Sequence, residues 1–198
     1  MSAPPKTVLT ATPEEAATIR AAVRAAEGHT VAGPGHVDGL LSLLADPAVS
    51  DPIYDLPRPI TREAVAAWVA DSEALRQEGR CLLTVNFDEA GEVAGYARFT
   101  IWPERSSGEL AGARRADLQN SGGGRSGVSR SIAWMFEGLG LRLIGLTAAL
   151  DNVRSAKAID GAGFKRMGEV ESVKPDGTTR RSLYWELTRA EWERMHRL

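Results

Sequence analysis

Residues 119–124 read Gln119-Asn120-Ser121-Gly122-Gly123-Gly124 and are followed by Arg125 and Ser126. With so little side chain in the way, the backbone here can come within hydrogen-bonding distance of a ligand. Behind the loop, Val128, Ile132, Met135 and Leu139 recur at helical spacing, so the loop leads into a helix whose first N–H groups lack intrahelical acceptors. Those donors and the positive end of the helix dipole suit a phosphate or pyrophosphate. A rival reading exists, because Gly122-x-Gly124-x-x-Gly127 also satisfies the dinucleotide fingerprint and Asp151 stands where a ribose-binding acid would. That fold needs a buried apolar strand just before its glycines. Here Ala113-Arg114-Arg115-Ala116-Asp117-Leu118 precedes them, and residues 128–198 are too few for the βα units that should follow.

The elements that must position this loop are legible from pattern. Thr12-Pro13-Glu14-Glu15 joins a capping box to a proline at the first helical position, which predicts a helix over about 13–26. A strand near 29–33, a short helix over 36–45 and a proline-rich loop over 46–60 come next. Thr61 caps a predicted helix to about Gln77, with Val65, Trp68, Val69, Ser72 and Leu75 on one stripe and Gly79 past its end. Residues 81–87 and 93–102 form a hairpin whose second strand alternates Ala97, Phe99 and Ile101 with Tyr96, Arg98 and Thr100. A third strand spans about 108–115 and the apolar run 143–150 a fourth. The last pair, 164–173 and 179–187, meets at Pro175-Asp176-Gly177.

The spacing Gln119-x-x-Gly122-x-Gly124 resembles Q/R-x-x-G-x-G/A, the coenzyme-binding signature of the GCN5-related N-acetyltransferases, the GNAT superfamily. The continuation through Phe136-Glu137-Gly138-Leu139-Gly140-Leu141, the strand 143–150, Asp151-Asn152-Val153-Arg154-Ser155 and Ala162-Gly163-Phe164 is similar to the RimJ/RimL-like branch, the ribosomal-protein alanine acetyltransferases. The resemblance spans roughly 36–192. It implies an α/β (α+β) fold with a central mixed, mostly antiparallel twisted sheet, a splayed strand pair and helices on both faces. It also implies a single domain over 1–198, with 1–28 as a helical extension before the core.

The same resemblance implies acetyl-CoA as acyl donor and a primary amine as acceptor, either a protein N-terminal α-amine or a small molecule. Coenzyme contacts fall on Arg114, Arg115, Gln119, Asn120, Ser121, Gly122, Gly123, Gly124, Arg125, Ser126 and Asn152. A main-chain N–H near Arg114 or Arg115 would donate to the acetyl carbonyl as charge develops there. Glu109, at the branch's strand glutamate, is the candidate base. A tyrosine that many relatives place in the helix after the D-N strand is replaced by Ile159, so the resemblance leaves the departing thiolate to Asn152, Ser155 or water. Tyr54, Trp102 and Tyr184 fall in segments that line the acceptor site in relatives. The alternative is an acyl-CoA-binding module without catalysis.

Composition narrows the partners. The 198 residues are 43% hydrophobic with a formal net charge of −2, enough for one core and without the basic footprint of a nucleic-acid binder. No apolar run approaches the ~20 residues that span a bilayer, and Met1-Ser2-Ala3-Pro4-Pro5-Lys6 is no signal-peptide core. Cytoplasmic residence as a monomer or homodimer is the expectation. Cys81, the single cysteine, sits in an apolar run and reads as a buried small residue. His29, His36 and His196 are scattered, so no metal site is expected.

Overall fold

The computed structural model describes residues 3–118 and 123–196. Helix α1 (Pro13–Ala25) is capped by the Thr12 hydroxyl, which accepts the Glu15 N–H. A short 3₁₀ turn (Pro34–His36) leads into α2 (Val37–Leu44), then α3 (Pro47–Ser50) and α4 (Arg62–Gln77), the last capped by Thr61 through the Ala64 N–H. Strands β1 (Cys81–Phe87), β2 (Val93–Trp102) and β3 (Ser107–Arg114) precede α5 (Gly123–Glu137). Then come β4 (Leu143–Ala149), α6 (Val153–Gly161), β5 (Lys165–Val173), β6 (Thr179–Thr188) and α7 (Arg189–His196).

The expected sheet forms, in the order β1-β2-β3-β4-β6-β5. Every neighbouring pair is antiparallel except β3 and β4, which run parallel. Side-chain alternation sends Leu183, Trp185 and Leu187 of β6 to one face and Ser182, Tyr184 and Glu186 to the other. The first face carries a cluster in which Ile19 of α1, Met135 and Phe136 of α5, Ala156 of α6 and Trp192 of α7 pack on Leu82, Phe99, Leu146 and Trp185. On the other face, α2 and α4 cover only the β1–β2 half, where Leu40, Leu44, Val65 and Val69 meet Leu83, Val85 and Tyr96. The β4–β6 half of that face lacks a helix among the described residues, and there the polar residues of β6 gather.

Four local departures from the sequence expectation have physical causes. The strand at 29–33 shrinks to one bridge, Val31 to Thr84, because the 3₁₀ turn begins at Pro34, whose ring fixes φ. The 46–60 loop contains α3, started by Asp46 accepting the Ala48 N–H ahead of Pro47. At the C-terminus, α7 was not expected. Strand β5 carries a bulge between Arg166 and Glu169, with Gly168 at φ +88°.

Candidate active site

The parallel contact between β3 and β4 is short. Its register covers Ser107↔Leu143, Gly108↔Ile144 and Glu109↔Gly145, and then stops, while β3 continues to Arg114 and β4 to Ala149. Beyond Glu109 the two strands diverge and their facing backbone groups meet no strand among the described residues. The sheet therefore has a wedge-shaped gap, floored by the α5–α6 side and facing, on the other side, the β4–β6 half that lacks a helix among the described residues. Backbone polar groups left unpaired in this way accept an extended ligand as an added strand would.

Glu109 stands at the apex of the wedge. It is 8% exposed, and Thr147 on β4 donates its hydroxyl to Oε1 at 3.2 Å. A cavity of about 90 Å³ opens beside it, lined by Tyr54, Trp102, Gly145, Thr147 and Tyr184 with residues 3–6 and 170–173. Tyr54, Trp102, Glu109 and Tyr184, far apart in sequence, are thus brought to one pocket. Tyr54 is held from two sides. Arg180 of β6 donates to the Pro52 carbonyl at 2.9 Å with its guanidinium 4.9 Å from the Tyr54 ring. Next to Tyr54, Asp55 pairs with Arg98 of β2 at 3.5 Å, both side chains largely buried.

Tyr184 lies in the pocket with its hydroxyl already engaged. It donates to Glu186 Oε1 at 2.6 Å and accepts the Lys6 N–H at 3.1 Å. Burial, and then the bond to Glu186, pushes its pKa upward, so the phenol keeps its proton across the working pH range. Burial alone would raise the Glu186 carboxyl, but donors from Thr7, Tyr184 and Lys6 outweigh it and hold the pKa below the usual value.

The other expected coenzyme contacts are distributed as follows. Gln119, Asn120, Ser121 and Gly122 lie outside the described residues. Gly123 and Gly124 open α5, with Arg125 and Ser126 in its first turn, so a 15-residue helix starts where the sequence places its anion cradle. Arg114 ends β3 on the diverging side. Arg115 is held by two carboxylates, donating to Asp88 in the β1–β2 turn and to Asp117 in the turn after β3, at 2.8 Å each. Asn152 caps α6, its side-chain oxygen accepting the Ser155 N–H at 3.0 Å. That bond occupies the oxygen and leaves the amide N–H groups and the Ser155 hydroxyl for other work.

The acetyltransferase (GNAT) domain profile matches residues 31–165. The chain belongs to the GNAT acetyltransferase family. Solved GNAT-fold structures agree with the architecture. The ribosomal-protein-S5-alanine acetyltransferase from Vibrio fischeri superposes with a TM-score of 0.68 at 16% identity, over 82% of this chain and 92% of that one. Mycobacterium smegmatis RimJ, in complex with CoA-disulfide, gives 0.68 at 17% identity over 81% of each chain. The aminoglycoside enzyme AAC(6')-Ib, with ribostamycin and coenzyme A, gives 0.67 at 21% identity over 83% and 94%. At these identities the likeness is one of fold. A search of curated proteins finds no match.

Several site residues of this GNAT chain escaped sequence reasoning. Thr147 and Gly145 sit inside an apolar run, where nothing but their alternate positions marks them. Glu186 had a readable signal, a charged residue two places after Tyr184 in Leu183-Tyr184-Trp185-Glu186-Leu187, hence on the same face. Residues 5–7 had none. Among the described residues no group of three or more His, Cys, Asp or Glu could hold a metal ion, and no helix is long and apolar enough to cross a membrane.

Proposed function

We propose that this chain is a single-domain, cytoplasmic, RimJ/RimL-like enzyme that moves acetyl from acetyl-CoA to a primary amine by direct attack within a ternary complex. One observation carries the reading: strand pairing ends at Glu109↔Gly145, so the gap opens where a buried carboxylate faces a pocket. The diverging backbone of residues 110–114 and the start of α5 fit a coenzyme's arm and diphosphate, with Arg114 and the first turn of α5 as the nearest holding groups. Acetyl-CoA, when bound, supplies a thioester as acyl donor.

The chain's own residues do the rest. The Arg115 N–H is given to the Ala94 carbonyl at 2.9 Å, so a main-chain N–H near Arg114 is the donor whose hydrogen bond strengthens as negative charge grows on the carbonyl oxygen, an effect worth about 3 kcal/mol of barrier. Glu109 takes the proton of the acceptor ammonium, directly or through water, while Thr147 fixes its orientation. Tyr54 and Trp102 line the pocket beside Glu109, the Tyr54 ring held by the Arg180 guanidinium at 4.9 Å. Asn152 and Ser155, at the start of α6, are the groups assigned to the departing thiolate. The acceptor is a protein N-terminal α-amine or a small-molecule amine. An α-amine, with a reference pKa near 7.7 to 8.0, is already about a tenth neutral at pH 7 and needs less from Glu109 than a lysine-type amine.

The test is acetyl-CoA turnover, read as free thiol, over a panel of peptides and small amines. Thiol release that depends on the amine supports transfer. Tight coenzyme binding with no release on any amine would make the chain an acyl-CoA-binding module instead.

A further inference from the structure

The acceptor pocket has a wall contributed by residues 3–6 and anchored by Thr7, which precede the segment that the family profile covers. Pro5 is buried and packs at Gly145: a Cβ built on that glycine would lie 3.3 Å from the Pro5 ring and 2.9 Å from the Tyr184 hydroxyl. Thr7 gives both its N–H, at 2.9 Å, and its hydroxyl to the buried Glu186 carboxylate. Arg105 donates to the carbonyls of Pro5 and Thr7, at 2.6 and 3.1 Å. The Lys6 ammonium reaches across to the β5 bulge and donates to the carbonyls of Met167 and Glu169 at 3.1 Å each. These partners span β4, β6, β5 and the turn before β3. The strap is therefore tied down along its length, and it lies on the face where no helix closes the site.

We propose that Pro5 and Lys6, anchored by Thr7, form the specificity-determining wall of the acceptor pocket and restrict it to compact, unbranched primary amines. The proposal rests on the acetyl-transfer reading and names its acceptor class. With the strap in place the cavity is about 90 Å³. A single water needs roughly 10–15 Å³ on this measure, so the space suits a short chain of atoms. That accommodates an aminoalkyl chain and leaves little for the branched α-carbon and following residues of a peptide. Glu109 supplies the carboxylate that a cationic amine needs, and Trp102 lines the same cavity.

The test pairs the intact protein with Pro5→Gly and Lys6→Ala variants, which open the wall and release its clamp without touching Glu109, Tyr54 or Trp102. Binding of 1,4-diaminobutane and of an alanine-initiated tripeptide is measured by calorimetry with coenzyme A bound, and thiol release from acetyl-CoA is followed separately. The intact protein should prefer the diamine. Either variant should shift the tripeptide-to-diamine affinity ratio toward the tripeptide by roughly tenfold, in the range that pocket size discriminates, with coenzyme affinity changed by less than about twofold. An unshifted ratio, a preference of the intact protein for the tripeptide, or no binding of either amine would overturn the proposal. A shifted ratio without thiol release on any amine would leave the wall standing and sink the acetyl-transfer reading instead.

Discussion

Glu186→Leu and Glu186→Gln together weigh the network that fixes the strap. The carboxylate is 5% exposed and takes the Thr7 N–H, the Thr7 hydroxyl and the Tyr184 hydroxyl. Leucine removes every acceptor, leaving the Tyr184 O–H and the Thr7 N–H facing carbon. A buried donor without a partner costs about 1–3 kcal/mol. Since Thr7 is only half-buried and part of its loss is recovered by water, the sum is about 3 kcal/mol. Glutamine can keep the set, with Oε1 accepting from Thr7 N–H and Tyr184 while Nε2 donates to the Thr7 hydroxyl, so its cost is expected near 1 kcal/mol. In thermal scans at pH 7 the leucine variant should melt about 6–12 °C lower, at roughly 2–4 °C per kcal/mol for a chain of this size. The pH dependence separates charge from shape. The folded carboxyl pKa lies below its unfolded value, so the charge contributes fully above the unfolded pKa of about 4.3 and is lost as pH falls through the lowered folded value. Urea midpoints should therefore show a stability gap between wild type and glutamine variant that narrows below pH 4. A leucine variant within about 0.5 kcal/mol of wild type would refute the network as an anchor.

Four further outcomes follow from the site and its frame. Glu109→Gln should lower kcat by roughly 10²-fold or more, with the larger effect at lower pH, where the amine most needs a base; a ratio that stays flat from pH 6 to 9 would reduce Glu109 to a packing role. Gly124→Val, at the start of α5, should raise the KM for acetyl-CoA at least about tenfold with little change in melting temperature, because the backbone can no longer approach its ligand; an unchanged KM would remove the loop from the coenzyme site. Gly145→Val should destabilise by about 1–3 kcal/mol in urea titration, since its Cβ would come within 2.9 Å of a Tyr184 hydroxyl already tied to Glu186 and Lys6; stability equal to wild type would mean that the strap yields freely. Asp55→Ala leaves Arg98 buried without its partner and should cost about 3 kcal/mol, read by the same titration, with no loss placing the Tyr54 loop under other control.

Much of the frame was legible because its signals are local. Thr12, Thr61 and Asn152 cap α1, α4 and α6 as their side chains predict, and Pro175-Asp176-Gly177 turns β5 into β6, with Gly177 at φ +82°. The alternation of Tyr96 and Arg98 against Ala97 and Phe99 assigned the faces of β2. What the sequence did not disclose depends on contacts between distant residues. Residues 5–7 carry no period and no charge pattern, and their place is fixed by Glu186, Arg105 and the β5 bulge, 98 or more positions away. Arg115 read as a possible phosphate ligand, yet Asp88 across the hairpin and Asp117 beside it claim its guanidinium. Asn152 read as a coenzyme contact, and the described geometry shows its side-chain oxygen at work as the cap of α6.

The two apolar clusters lie on opposite faces of one sheet and share no residue. One joins both arms of the sheet beneath the wedge, while the other gathers α2, Val49 of α3, α4 and the loop residues Ile53, Leu56 and Ile60 mainly over β1 and β2. Change in the second cluster acts on Tyr54 and the rim directly, while change in the first acts on the strands that carry Glu109 and Thr147. In such an architecture, acceptor choice can be retuned from one side of the sheet.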